Sequence, residues 1–179
     1  MSEFSNNNPE QSALGEFYLR AGIAADIEAM ALLTERASAH SVGEPLPPTI
    51  PNAAEAYGEL QKRRHYDGYW SHLAFDADKL AGFTAGYSGT WKGEDDKTNS
   101  QYLWLLMVDP DYQRRGLGRA LVRVAADASK QNGAENLILY AASDNTRESK
   151  LYESEGFEKV SSVLSDTQGE LAKYCLKLK

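Results

Sequence analysis

The sequence predicts one α/β domain built on a mixed, mostly antiparallel sheet of about seven strands flanked by helices. Three observations carry that prediction. The hydrophobic period changes along the chain in the order strand, two helices, three strands, helix, strand, helix, two strands, which is neither a regular strand–helix alternation nor an all-β pattern. Residues 101–108, QYLWLLMV, are the most apolar run, short enough for a strand buried on both faces. Residues 117–131 then form a strongly amphipathic helix that opens on a glycine-punctuated turn. A chain of 179 residues is long enough for one sizeable core and short for two.

Residues 1–13 are rich in Ser, Asn and Pro with little to bury, and read as a flexible tail ahead of a domain over 14–179. Residues 17–20 make a short strand. Residues 24–40 make a helix with Ile27, Met30, Ala31, Thr34 and Ala37 on one face and Asp26 near its positive end. Four of the six prolines fall in 41–51, which no helix can cross, and Asn52 is placed to cap the next helix, over 53–66. Strands at 69–75 and 80–87 are joined by the hairpin stretch Asp76-Ala77-Asp78-Lys79. The loop over 88–100, with Gly89, Gly93 and an acidic run, is exposed.

Residues 101–108 are the central strand. The helix over 117–131 sets Leu117, Leu121, Val124, Ala125 and Ala128 against Arg119, Arg123, Asp127 and Lys130, and closes at Asn132-Gly133. A strand at 136–142, a helix at 147–155 ended by Gly156, and an antiparallel pair at 157–164 and 170–178 complete the order.

Lys and Arg total 19 against 26 Asp and Glu, and the net charge of −7 argues against general affinity for nucleic acid or anionic membrane and favours cationic substrates at long range. Cys175 is the single cysteine, so no internal disulfide forms and a reducing, cytoplasmic setting is expected. No apolar stretch approaches the roughly 20 residues that span a bilayer, and no basic leader precedes one. His40, His65 and His72 are isolated and carry no metal-ligand spacing, so no metal is expected.

Chemistry concentrates between residues 108 and 119, where the central strand meets the amphipathic helix. A helix start offers N–H groups without intrahelical partners and a partial positive charge, which suits an anion. Gly116 and Gly118 remove side chains that would hold a ligand off the backbone, and Arg114, Arg115, Arg119 and Arg123 gather positive charge in an otherwise acidic chain. Taken alone, this pattern serves a tight strand-to-helix turn with solvated arginines equally well. A second element, 145–157, fits the same picture.

The pattern Gln113-x-x-Gly116-x-Gly118 after Val108-x-Pro110, with Asn145, Tyr152 and Gly156-Phe157 downstream, resembles motifs A and B of the GNAT N-acetyltransferase superfamily. The resemblance covers nearly the whole chain. It implies a GNAT acyl-CoA N-acyltransferase fold and acetyl-CoA as co-substrate. Leu106, Met107 and Val108 would then meet the pantetheine arm and thioester. The segment Arg114, Arg115, Gly116, Leu117, Gly118 and Arg119 would wrap the pyrophosphate, and Asn145 would bond the pantetheine amides. Tyr152 would act on the thioester sulfur. Expulsion of a thiolate by an amine needs an acid, and a phenol of ordinary pKa near 10 stays protonated at neutral pH. Tyr152 serves a hydrophobic core equally well, since with Leu151 it lies on a buriable face.

Two departures stand out. Glu148 occupies a position where many relatives carry Ala or Ser beside the cofactor. Tyr140 stands where relatives that acetylate ribosomal-protein termini place a glutamate base, and 101–108 contains no Asp or Glu. The implied function is transfer of acetyl to a primary amine of a small molecule. A protein N-terminus or lysine, or a CoA-binding regulatory domain without catalysis, are the alternatives. Many relatives dimerise, and a homodimer is among the states the resemblance admits.

Overall fold

The computed structural model describes residues 12–14, 16–39, 52–89, 99–165 and 169–178. Its strands are β1 (Ser12–Leu14), β2 (Phe17–Ala21), β3 (Trp70–Asp76), β4 (Lys79–Ser88), β5 (Ser100–Val108), β6 (Asn136–Ala142), β7 (Glu158–Ser165) and β8 (Gly169–Lys177). The helices are α1 (Ile27–Ala39), α2 (Ala53–Arg63), α3 (Leu117–Gln131) and α4 (Thr146–Ser154). The strands form a single sheet in the order β1-β2-β3-β4-β5-β6-β8-β7, every pair antiparallel except β5–β6.

Most elements fall where the periodicity places them, and α3 and β6 match it residue for residue. Ser12–Leu14, part of which was expected to belong to the tail, instead pairs with Phe17–Leu19 of β2 and adds an eighth strand. Helix α1 begins at Ile27 because Asp26 folds back to accept from the Ile23 N–H and from both terminal nitrogens of Arg20, which tightens Ala24–Asp26 into a 3₁₀ turn. Asn52 caps α2 as expected, accepting from Glu55 N–H, but the helix stops at Arg63 and Tyr66 turns out to meet Tyr87 edge-on at 5.1 Å. His40, the proline-rich 41–51 and most of the 88–100 loop lie outside the described residues.

The core is split by the sheet. On one face α1 and α2 bury Ile27, Met30 and Leu60 against Leu73, Phe83 and Leu105. On the other, α3 and α4 bury Val122, Ala125 and Tyr152 against Leu103, Leu137 and Leu139. Fully buried Leu121 and Leu60 each contribute roughly 1.5–3 kcal/mol relative to exposure. No helix among the described residues is long and apolar enough to cross a membrane.

Gly86 lets β4 and β5 approach closely. A Cβ on Gly86 would collide with the Tyr102 carbonyl and the Trp70 indole, which donates to the buried Gln101. The backbone carbonyl cannot swing away. Gly86→Ala is therefore expected to cost about 1–3 kcal/mol through overpacking, read as a lowered thermal midpoint; an unchanged midpoint would show that β4 can back away from β5.

Candidate functional site

The two middle strands separate. β5 and β6 share only three register pairs, Ser100↔Asn136, Gln101↔Leu137 and Tyr102↔Ile138. Beyond them β5 stays with β4 as far as Gly82↔Val108, and β6 stays with β8 as far as Ala142↔Leu171. The β4–β5 register skips a residue at Trp104, between Ala85↔Leu105 and Gly86↔Leu103, and such a bulge bends the strand that carries it. Leu106, Met107 and Val108 thus lie along one wall of a notch, each paired to β4 on one side and with no strand on the other.

The end of β5 is pinned. Buried Asp109 donates its N–H to Ala81 O at 2.9 Å, accepts from Asp111 N–H at 2.9 Å, and lies 3.4 Å from Arg36. A 3₁₀ turn over Pro110–Tyr112 follows, and Tyr112 donates its hydroxyl to Asp76. Arg114 (φ 63°) and Gly116 (φ 82°) then adopt left-handed backbone before α3 begins. The first bond of α3 runs from Ala120 N–H to Gly116 O, and the N–H groups of residues 114–119 find no acceptor among the described residues. This is an anion-receptive concavity built from backbone.

Gly116 is required by its φ, Gly118 is not. A Cβ on Gly118 would make only ordinary contacts, 3.8 Å to Val108 and 3.8 Å to Leu151, so the protein's own packing does not demand a glycine there. The arginines are more committed than their spacing suggests. Arg119 and Arg123 both bind Glu155, at 2.9 and 2.7 Å, and the Glu155 side chain is only 7% exposed. Arg115 stands 3.5 Å from Glu16 and over the Tyr112 ring, leaving Arg114 without an acidic partner among the described residues. Glu155 is the residue that sequence reasoning missed; the signal was an acid at the end of the helix that follows a basic-faced helix.

Helix α4 closes the site. Asn145 is its N-cap, with Oδ1 accepting from Glu148 N–H at 3.2 Å and Nδ2 left without a partner among the described residues. Arg147 donates to Gln113 at 3.3 Å, Leu151 reaches toward Gly118, and Glu155 ties the far end to α3. The structure therefore brings together Val108, Gly116, Gly118, Asn145 and the helix bearing Tyr152. Tyr152 is 7% exposed, packed against Phe157 at 5.8 Å and Tyr174 at 6.0 Å between ring centroids. Burial, reinforced by Glu148 one turn away, holds its hydroxyl well above the ordinary tyrosine pKa.

The opposite face of the notch is aromatic. Leu139 and Ala141 pack toward α3, so strand alternation turns Tyr140 the other way, where it meets Tyr102 edge-on at 5.8 Å. Tyr102 in turn meets Tyr87 at 5.4 Å, and Arg63 stacks on Trp104 at 4.3 Å. Tyr102 is too deeply buried to ionise near neutrality. Half-buried Cys175 faces Asn136 across β8 and β6 and lies away from the notch. No group of three or more His, Cys, Asp and Glu among the described residues could hold a metal ion.

Comparison with known proteins agrees with this geometry. A model of the acetyltransferase (GNAT) family matches residues 30–157. The ribosomal protein bS18-alanine N-acetyltransferase of Escherichia coli is 46% identical over 55 residues, 31% of this chain and 37% of that protein. A mycothiol acetyltransferase of Kocuria rhizophila is 34% identical over 84 residues, 47% of this chain and 27% of that protein. The matched segments thus span well under half of these curated relatives. Among solved structures, yncA of Salmonella typhimurium with its cofactor acetyl-CoA superposes with a TM-score of 0.72 at 20% identity, covering 92% of this chain and 95% of that one. Spermidine N-acetyltransferase SpeG of Vibrio cholerae superposes with a TM-score of 0.68 at 17% identity, covering 91% and 94%. With the family match extending over most of the chain and the same fold in these neighbours, the protein belongs to the GNAT acetyltransferase family.

Proposed function

We propose that this chain is an acetyl-CoA-dependent N-acetyltransferase that moves acetyl directly to a primary amine of a small molecule. The observation that carries the reading is the notch where β5 leaves β6, with a backbone anion site at one end and Tyr152 on the helix beside it. The N–H groups of residues 114–119 receive the pyrophosphate, Leu106, Met107 and Val108 line the arm, and Asn145 Nδ2 donates to an arm carbonyl. The amine attacks the acetyl carbon, the carbon–sulfur bond breaks, and Tyr152 gives the thiolate its proton. Burial holds the Tyr152 hydroxyl above its ordinary pKa, so the proton that the role requires is in place at neutral pH.

The acceptor enters from the aromatic face, opposite Tyr152. Tyr140 and Trp104 lie on that face, each already stacked by a cation of the chain, Lys173 and Arg63, and the net charge of −7 draws cationic acceptors in at long range. A small amine and a protein N-terminus both present an ammonium to that face. An amine panel with acetyl-CoA, read by release of free thiol, tests it directly: release with small amines is expected, release only with peptides moves the acceptor class, and no release without CoA-dependent thermal stabilisation ends the reading.

Two substitutions divide the donor half from the chemistry. Gly118→Ala is expected to leave stability unchanged or raise it by about 0.5–1 kcal/mol through helix propensity, while weakening CoA binding at least about tenfold by calorimetry. Affinity equal to wild type would move the phosphate site elsewhere. Tyr152→Phe is expected to lower kcat by about 10²-fold or more with little change in KM for acetyl-CoA; full turnover across pH removes the hydroxyl from the acid role.

A further inference from the structure

Glu148 is the one group in the site whose placement the reaction has not yet used. It stands at the third position of α4, where a glutamate commonly reaches back to the cap residue's N–H. That role is closed here, because the Asn145 N–H is already donated to Ala142 O at 3.1 Å. Neighbouring Arg147 does not pair with it either and turns to Gln113. The Glu148 side chain has no hydrogen bond or ion pair among the described residues, although it sits partly buried on the same helical stripe as Tyr152. By contrast, Glu155, the next acid on that stripe, is paired twice. A carboxyl withdrawn from water with no partner is costly, and such a cost is tolerated where the group works.

We infer that Glu148 is the proton relay of this site, carrying a proton from the incoming ammonium to Tyr152. The inference rests on the acetyltransferase reading and supplies the base that neither 101–108 nor Tyr140 provides. As carboxylate, Glu148 takes one proton from the acceptor ammonium through water. The freed amine forms its bond to the acetyl carbon as the carbon–sulfur bond breaks, Tyr152 protonates the sulfur, and Glu148 returns its proton to the Tyr152 oxygen. A second proton leaves the nitrogen for solvent. Ammonium and thioester thus become amide, thiol and one released proton, and both side chains end as they began.

The titratable groups around the pair are Arg147 on α4, Tyr102 from β5 and Tyr174 from β8, the last donating to Ser149 at 2.9 Å. Burial pushes the Glu148 carboxyl above its ordinary range and Arg147 pulls it back in part. Turnover therefore requires the carboxylate form, present above that raised pKa and lost as pH falls through it.

The test compares wild type, Glu148→Gln and Glu148→Asp in thiol release with an amine that the wild type accepts, across pH, with CoA affinity measured on each. Expected are a loss of about 10²-fold in kcat/KM for Gln, CoA affinity within about threefold of wild type, disappearance of the acidic limb, and partial recovery with Asp. Turnover by Glu148→Gln within about twofold of wild type, with the same acidic limb, overturns the relay and leaves the acetyltransferase reading intact. No thiol release by the wild type with any amine overturns both.

Discussion

Everything functional in this protein depends on β5 letting go of β6. A parallel pair that stayed in register to its end would satisfy both strands' backbone groups and leave nothing for a ligand. Here the pairing ends after Tyr102 and Ile138, and the cost is carried by the outer neighbours: β4 holds β5 through Val108 and β8 holds β6 through Ala142. The bulge at Trp104 and the close approach at Gly86 bend β5 away without breaking it. The notch is a feature of sheet mechanics first, and its chemistry follows from which elements the two diverging strands feed into.

Each strand feeds a helix start. β5 runs through the pinned Asp109-Pro110 corner into α3, and β6 runs through Asn145 into α4, so two sets of helix-opening N–H groups stand on one face of the notch. The arginines that make the segment conspicuous in sequence also have a structural part. Arg119 and Arg123 fasten α4 to α3 through Glu155, fixing Asn145 and Tyr152 relative to the glycine corner. A buried carboxylate with two guanidinium partners is a positional clamp, and losing it would loosen α4 against α3.

The fold was legible because its period signals are strong where its packing is strong. The apolar run of β5 and the two-faced pattern of α3 are direct readings of burial, and Asn132-Gly133 ends α3 through the left-handed backbone of Gly133. Ser12–Leu14 was not legible, because a three-residue strand held by main-chain bonds leaves no side-chain period. The glycine corner was legible as composition, whereas its division of labour was not: which arginine meets Glu155 and which finds no acidic partner among the described residues depends on the distance between α3 and α4, a quantity that no local pattern carries. Glu148 shows the same limit. Its residue type was visible, its lack of a partner among the described residues was not.

The sequence posed two accounts of Tyr152. A core aromatic and an acid had looked like rival accounts, yet Tyr152 is packed between Phe157 and Tyr174 and is part of the core beneath α4. The packing is what sets its chemistry. Removing water from around the phenol destabilises the phenolate and keeps the Tyr152 hydroxyl protonated at neutral pH, and the same withdrawal from water raises the Glu148 carboxyl one turn earlier. Both shifts run upward, so the carboxyl stays the stronger acid of the two and a proton returned from Glu148 to a Tyr152 phenolate moves downhill. In this fold the proposed acid is itself a residue of the hydrophobic core.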